Sequence, residues 1–298
     1  MASANGRATL EEEHPRVNVG AWQLDTVDGG DLSLDGGVVF GIVPKVLWDK
    51  ILPPDQNNRV RLRNSCVLAR DGKHTVLIDT GYGGKYAPID RKFYEMEEGE
   101  PLARSLATLG VQYEDIDTVV FTHLHFDHVG GASRRYSQRR VVLTFPQARH
   151  VIGRIEWEDA TSKLPELERA YPQEHIIPLA AAAKIDLIPG GGEILPGLRS
   201  IVTGGHTRGH LALAFESAGQ TALMIGDICP TVHHLRRSWC LSYDTQVVET
   251  RRIKPKLLAE AAQGNWWIHL THDPKFAAVR IAPHAQREFD IVEARERF

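Results

Sequence analysis

Thr122-His123-Leu124-His125-Phe126-Asp127-His128-Val129-Gly130-Gly131 decides how the rest of the chain is read. Three histidines and an aspartate fall within six residues, directly after the apolar run 116–121 and directly before a glycine pair. Val119, Val120 and Phe121 mark that run as a strand. Side chains alternate along a strand, so His123 and His125 are expected to point one way and grip one ion. The turn that follows would bring Asp127 and His128 towards a second. A lone histidine at a strand end is ordinarily structural, but several imidazoles and a carboxylate buried together each need a partner, and a cation partners them all. Imidazole mixed with carboxylate suits zinc and other divalent transition metals better than calcium or magnesium.

The composition bounds the remaining choices. With 298 residues, 42% of them hydrophobic, the chain can bury a large core, which excludes a disordered or fibrous class. No linker-like stretch divides it, so 1–298 reads as one domain, with 1–16 as a flexible N-terminal segment. The formal charge of −3, from 35 basic and 38 acidic residues, gives no electrostatic case for nucleic acid. The cluster Arg134, Arg135, Arg139 and Arg140 reads as a solvated face. Three cysteines without CxxC spacing point to a reducing compartment rather than a disulfide scaffold. The first fourteen residues lack the apolar centre of a signal peptide, and no apolar run reaches membrane-spanning length. A soluble, cytoplasmic protein without membrane or nucleic-acid partners is therefore expected.

Along the chain, strands are expected over 17–26, 60–69, 75–78, 141–144, 185–188, 198–202, 211–216, 221–227 and 265–270. Arg70-Asp71-Gly72-Lys73 is a hairpin turn between the second and third of these. Helices are expected over 101–109, through much of 152–179 between prolines, and over 253–263. Residues 83–99 read as a surface excursion. The stretch 38–48 reads as a strand entering a loop, because Pro44 forbids a central strand there. Its alternative role is a pocket wall built from Phe40, Val46 or Trp48. Asp227 closes an apolar strand, a costly place for a carboxylate unless something positive meets it.

The H-x-H-x-D-H motif followed by Gly-Gly resembles the signature of the metallo-β-lactamase superfamily of metal-dependent hydrolases. The resemblance extends to Asp79-Thr80-Gly81, Gly205-His206-Thr207-Arg208-Gly209-His210, Gly226-Asp227 and Thr271-His272-Asp273. It implies an α/β fold, the αββα sandwich of two mixed β-sheets flanked by helices. It further implies two divalent metal ions per chain, foremost Zn2+, with Fe, Mn or Co as alternatives. His123, His125 and His210 would hold one ion, Asp127, His128 and His272 the other, with Asp227 shared. Asp79 would support the site from behind, and His206 would make loop hydrogen bonds. His272 is preferred over His269 for its strand-end position. The related pattern usually reads G-H-T-P-G-H, and Arg208 stands here in place of the proline. Intact His125 and His128 argue against the oxygen-reducing iron branch.

The combination of Phe40-Gly41-x-x-Pro44-Lys45 with Gly226-Asp227-x-x-Pro230-Thr231 is similar to the branch holding quorum-quenching N-acyl homoserine lactonases. The resemblance thus implies hydrolysis of a small-molecule lactone or ester by a metal-bridged hydroxide, with Asp127 carrying the proton to the leaving group. Well-known lactonases carry a tyrosine where this chain has Pro230, leaving His233 or His234 as stand-ins. An organophosphate or aryl-ester hydrolase and a glyoxalase-II-like thioesterase are the alternatives, and a homodimer stays possible.

Overall fold

The computed structural model describes residues 16–137, 140–181 and 184–297. The expectations for the N-terminal segment before Arg16 and for Arg139 lie outside these residues. Two seven-stranded sheets dominate the described chain. The first runs Val17–Val19, Trp22–Asp28, Ser65–Arg70, Thr75–Ile78, Thr118–Val120, Arg149–Gly153 and Ile185–Ile188 in spatial order. The second runs Gly192–Leu195, Leu198–Val202, Leu211–Ser217, Gln220–Met224, Trp267–His269, Ala278–His284 and Glu288–Arg295. Both are mixed: Thr118–Val120 lies parallel to its two neighbours, and Gln220–Met224 lies parallel to Trp267–His269.

The period-two pattern of the strands explains the layering. Val67, Ala69, Val76, Ile78 and Val120 face Leu213, Phe215, Ala222 and Met224 of the other sheet in one apolar core. Cys66, Leu68, Leu77 and Val119 point the opposite way, against Leu102 and Leu106 of the helix Pro101–Thr108 and Ile176 of Gln173–Ala180. Ala212, Ala214 and Leu223 cover the outside of the second sheet beneath Leu257, Leu258 and Ala261 of the helix Val247–Gln263. Each sheet is thus buried on both faces, as strands with few polar interruptions require. This is the αββα arrangement.

Several elements differ from expectation for identifiable reasons. The span 60–69 is two strands, Arg59–Leu62 and Ser65–Arg70, which belong to different sheets. The span 38–48 contains two short helices, Gly36–Phe40 and Lys45–Trp48, rather than a strand. The Asp35 carboxylate accepts the Gly37 and Val38 amides and starts the first of them, overriding the β-branched run. Phe40 and Trp48 are buried and stacked at 5.1 Å in a core of their own, whereas Val46 is exposed. The 83–99 excursion carries the helix Pro88–Tyr94, and a C-terminal hairpin of Ala278–His284 with Glu288–Arg295 extends the second sheet beyond the expected strands. Arg134, Arg135 and Arg140 lie on the hairpin Ser133–Ser137 with Arg140–Leu143. No helix among the described residues is long and apolar enough to cross a membrane. The three cysteines are buried and unbridged.

Candidate metal centre

The candidate residues come together because parallel strands deliver their following loops to one end of the sandwich. Asp79 follows Ile78, the 122–128 motif follows Val120, Asp227 follows Met224, and His272 follows His269. Gly131 lets the motif close onto its neighbour, since a Cβ there would lie 2.0 Å from the Thr80 carbonyl oxygen.

Asp79 sits at φ 56°, a left-handed conformation unusual for a non-glycine residue. There its carboxylate accepts the Thr122 amide at 2.9 Å and the Thr122 hydroxyl at 2.8 Å. It also accepts His128 Nδ1–H at 3.0 Å. That bond fixes the tautomer and turns the His128 Nε2 lone pair inward. His272 is oriented likewise, its Nδ1 donating to the Arg63 carbonyl at 2.9 Å. The two Nε2 atoms then face each other at 3.3 Å. Each also approaches Asp227 Oδ1, at 3.4 Å from His128 and 3.3 Å from His272. Asp127 Oδ2 lies 3.5 Å from His272 Nε2, and Asn64 Nδ2 holds the Asp127 backbone carbonyl at 2.5 Å.

A second group forms alongside. Asp244 accepts His206 Nδ1–H at 2.8 Å, which sends His206 Nε2 to within 3.0 Å of His125 Nδ1 and 3.5 Å of Asp227 Oδ2. His123 Nε2 is buried there without a hydrogen-bond partner. The donor atoms of His123, His125 and His206 all lie within 4.8 Å of one another, as do those of Asp127, His128 and His272, and those of His123, His128 and Asp227. Asp227 thus presents one oxygen to each group.

This reverses the expected parts of two histidines. His210 is not brought into either group: its Nδ1 bonds Thr203 Oγ1 at 2.5 Å, and its Nε2 accepts the Asp227 amide at 3.1 Å. Both ring nitrogens are occupied, so His210 steadies the Asp227 turn while His206 reaches the cluster. The partner that decides this, Asp244, lies 38 residues beyond His206. His269 is in none of the three-donor groups among the described residues.

Charges within the cluster are strongly perturbed. Burial and the neighbouring imidazoles hold His123 and His125 well below the ordinary histidine value, so they stay neutral. Burial opposes the charged form of His128 and His272 too, but Asp227 and the other nearby carboxylates overcome it and raise both. Asp227 resists its own burial because His272 and His128 hold it well below the carboxylate range. Imidazole nitrogens facing each other at 3.0 and 3.3 Å, a buried His123 Nε2 without a hydrogen-bond partner, and the Asp227 carboxylate between them fit divalent cations as the missing partners.

Beside the cluster opens a cavity of about 550 Å³. Its walls include Leu34, Val38, Phe93, Tyr94, Phe126 and Leu167, with His125, Asp127 and Tyr243 at its base. Tyr243 packs on the His206 ring at 5.3 Å and the His125 ring at 6.0 Å. Neither expected stand-in for the missing tyrosine is there. His234 stacks on Phe40 with its nitrogens bonded to Val39 O and Thr231 Oγ1, and His233 lines a separate pocket with Leu47 and Arg236.

The sandwich and the two donor groups define a class of metal-dependent hydrolase-fold proteins. The chain belongs to the metallo-beta-lactamase superfamily, which it matches over residues 59–268. An N-acyl homoserine lactonase of Bacillus cereus is 27% identical over 170 residues, 54% of this chain and 61% of the relative. The match therefore spans about three fifths of that relative's length. A probable metal-dependent hydrolase from Staphylococcus aureus superposes on 93% of this chain and 98% of its own, with a TM-score of 0.85 at 27% identity. AidC, a dizinc quorum-quenching lactonase, shares the fold with a TM-score of 0.74 at 19% identity, over 93% of this chain.

Proposed function

We propose that this chain is a binuclear metal-dependent hydrolase of carboxylic esters, acting on lactones of the N-acyl homoserine type. One observation carries the reading: Asp227 stands between two three-donor groups, whose His125 and Asp127 line the adjoining apolar cavity. His123, His125 and His206 would hold one ion, Asp127, His128 and His272 the other, and Asp227 both. Zinc suits the donor set best. Two such ions supply Lewis acidity, which polarises an ester carbonyl and makes water acidic enough to attack at neutral pH.

The protein's own part is orientation and proton traffic. Asp79, Asp244 and the Arg63 carbonyl fix the ring tautomers of His128, His206 and His272. Leu34, Val38 and Phe126 form an apolar wall suited to the acyl part of a substrate. The Tyr243 phenol lines the same cavity, and burial together with Asp227 and Asp127 raises it well above the ordinary tyrosine value. It stays protonated and can donate to the substrate carbonyl. Asp127 faces cavity and cluster together, so it is placed to pass a proton to the departing alkoxide.

The test is a hydrolysis panel run on purified protein with its metal content assayed in parallel. It holds an acyl homoserine lactone, a simple lactone, an aryl ester, a phosphotriester and a glutathione thioester. Turnover of the acyl homoserine lactone, with about two metals per chain, is the expected result. Turnover of the phosphotriester, aryl ester or thioester alone would overturn the substrate assignment and leave the site intact.

A further inference from the structure

The buried carboxylate of Glu156 takes no part in the chemistry above, yet it joins the two loops that carry three of its histidines. Glu156 lies on the helix Arg154–Thr161 and is 1% exposed. Its Oε1 accepts the amide of Leu124, the residue between His123 and His125, at 2.8 Å. Its Oε2 accepts the hydroxyl of Thr207, the residue after His206, at 2.6 Å. The loops come from different sheets, and the carboxylate spans the gap between them.

The same helix grips the second loop twice more. A Cβ at position 209 would lie 2.2 Å from the Glu156 amide nitrogen, so only glycine lets the 204–210 loop approach this closely. Arg208 forms a two-pronged pair with Asp159, Nε to Oδ2 at 3.0 Å and Nη2 to Oδ1 at 2.5 Å. Tyr171 packs between Glu156 and the His125 ring, 5.8 Å from the latter. With Tyr171 as a third hydrogen-bond partner, the buried carboxylate ties both loops and the ring beside His125 to one point.

We propose that Glu156 is a positioning residue that sets the separation of the 122–125 and 204–210 loops, and through it how tightly His123, His125 and His206 hold a divalent ion. This rests on the ligand set proposed above. The experiment measures Zn2+ affinity of the full chain by competition with a chromophoric chelator, for wild type, Glu156→Ala, Glu156→Gln and Thr207→Val. Co2+ absorption spectra and metal-free thermal melts accompany it.

Removing the carboxylate should weaken Zn2+ binding at the His123–His125–His206 group by about 10–100-fold, the usual effect of losing an outer partner of metal-binding residues. The Co2+ bands should shift as the ligand geometry relaxes. Glu156→Gln should restore affinity, since its amide accepts from Leu124 N–H and donates to Thr207. Thr207→Val should weaken binding while leaving Glu156 in place, and it decides the matter if Glu156→Ala does not fold. Wild-type affinity in Thr207→Val or Glu156→Ala, with only a lower metal-free melting temperature, would overturn the inference and leave a structural role. Wild-type protein that takes up no Zn2+ would instead overturn the ligand reading, and this inference with it.

Discussion

At the residue scale, what separates His206 from His210 is the hydrogen bonding of each ring. His206 gives Nδ1–H to Asp244 and keeps Nε2 for the cluster, whereas His210 spends both nitrogens on Thr203 and the Asp227 amide. His206→Ala should therefore lose bound metal, while His210→Gln keeps it, as read by metal analysis of the purified variants. The opposite pattern would restore the order expected from sequence. Asp227→Ala should reduce both metal content and hydrolysis to background, and unchanged turnover would sink the shared-carboxylate mechanism. Residue types and spacing make His123, His125, Asp127 and His128 legible as candidates, and the strand-end position does so for Asp227, whereas His272 is read from the family resemblance. The His206 choice is not legible, because its deciding partner comes from a distant segment.

His150 offers a separate residue-scale test. It is buried against Phe121, and burial lowers it to about 4. A histidine held neutral in the folded state and protonated near pH 6.5 in the unfolded state stabilises fully above pH 6.5. That contribution is lost as pH falls towards about 4. Between pH 7 and pH 5 it amounts to about 2 kcal/mol. His150→Leu should flatten the pH dependence of urea-unfolding stability over this interval by that amount. An equally steep loss in the variant would show that His150 is not the group responsible.

At the element scale, strands with an uninterrupted apolar pattern were legible, and segments fixed by remote contacts were not. Val67, Leu77, Leu213 and Leu223 announce their strands by composition alone. The run Val38-Val39-Phe40 reads equally well as a strand, yet the Asp35 cap and the burial of Phe40 against Trp48 and Trp239 make it helical. The strands within 278–295 are not legible, because the outer one is half exposed and carries Glu288, Asp290, Glu293 and Arg295, a charged edge that resembles a loop. The 36–48 segment also brings Val38 to the cavity wall. Trp48→Ala should cost about 3–5 kcal/mol in chemical denaturation and loosen that wall, raising KM for long-chain substrates more than it lowers kcat. A stability loss below about 1 kcal/mol would mean that the small Phe40–Trp48 core does not hold the segment.

At the scale of the whole molecule, the sandwich joins two sheets whose contributions to the site are incomplete separately. Asp79, His123 and His128 come from the end of the first sheet, and His206, Asp227 and His272 from the end of the second. A cation shared among them would cross-link the sheets in the folded state alone and so couple metal binding to folding stability. Each site, filled at a free concentration 100 times its dissociation constant, adds about 2.7 kcal/mol. For a chain of this size that corresponds to about 5 °C of melting temperature per ion. Chelation should lower the melting temperature of the wild type by about 10 °C when both sites empty. The Asp227→Ala variant should melt at nearly one temperature with and without chelator. A wild type whose melting temperature ignores both chelator and added Zn2+ would mean that the imidazoles and carboxylates at the sheet ends hold one another, and that no ion joins the two halves.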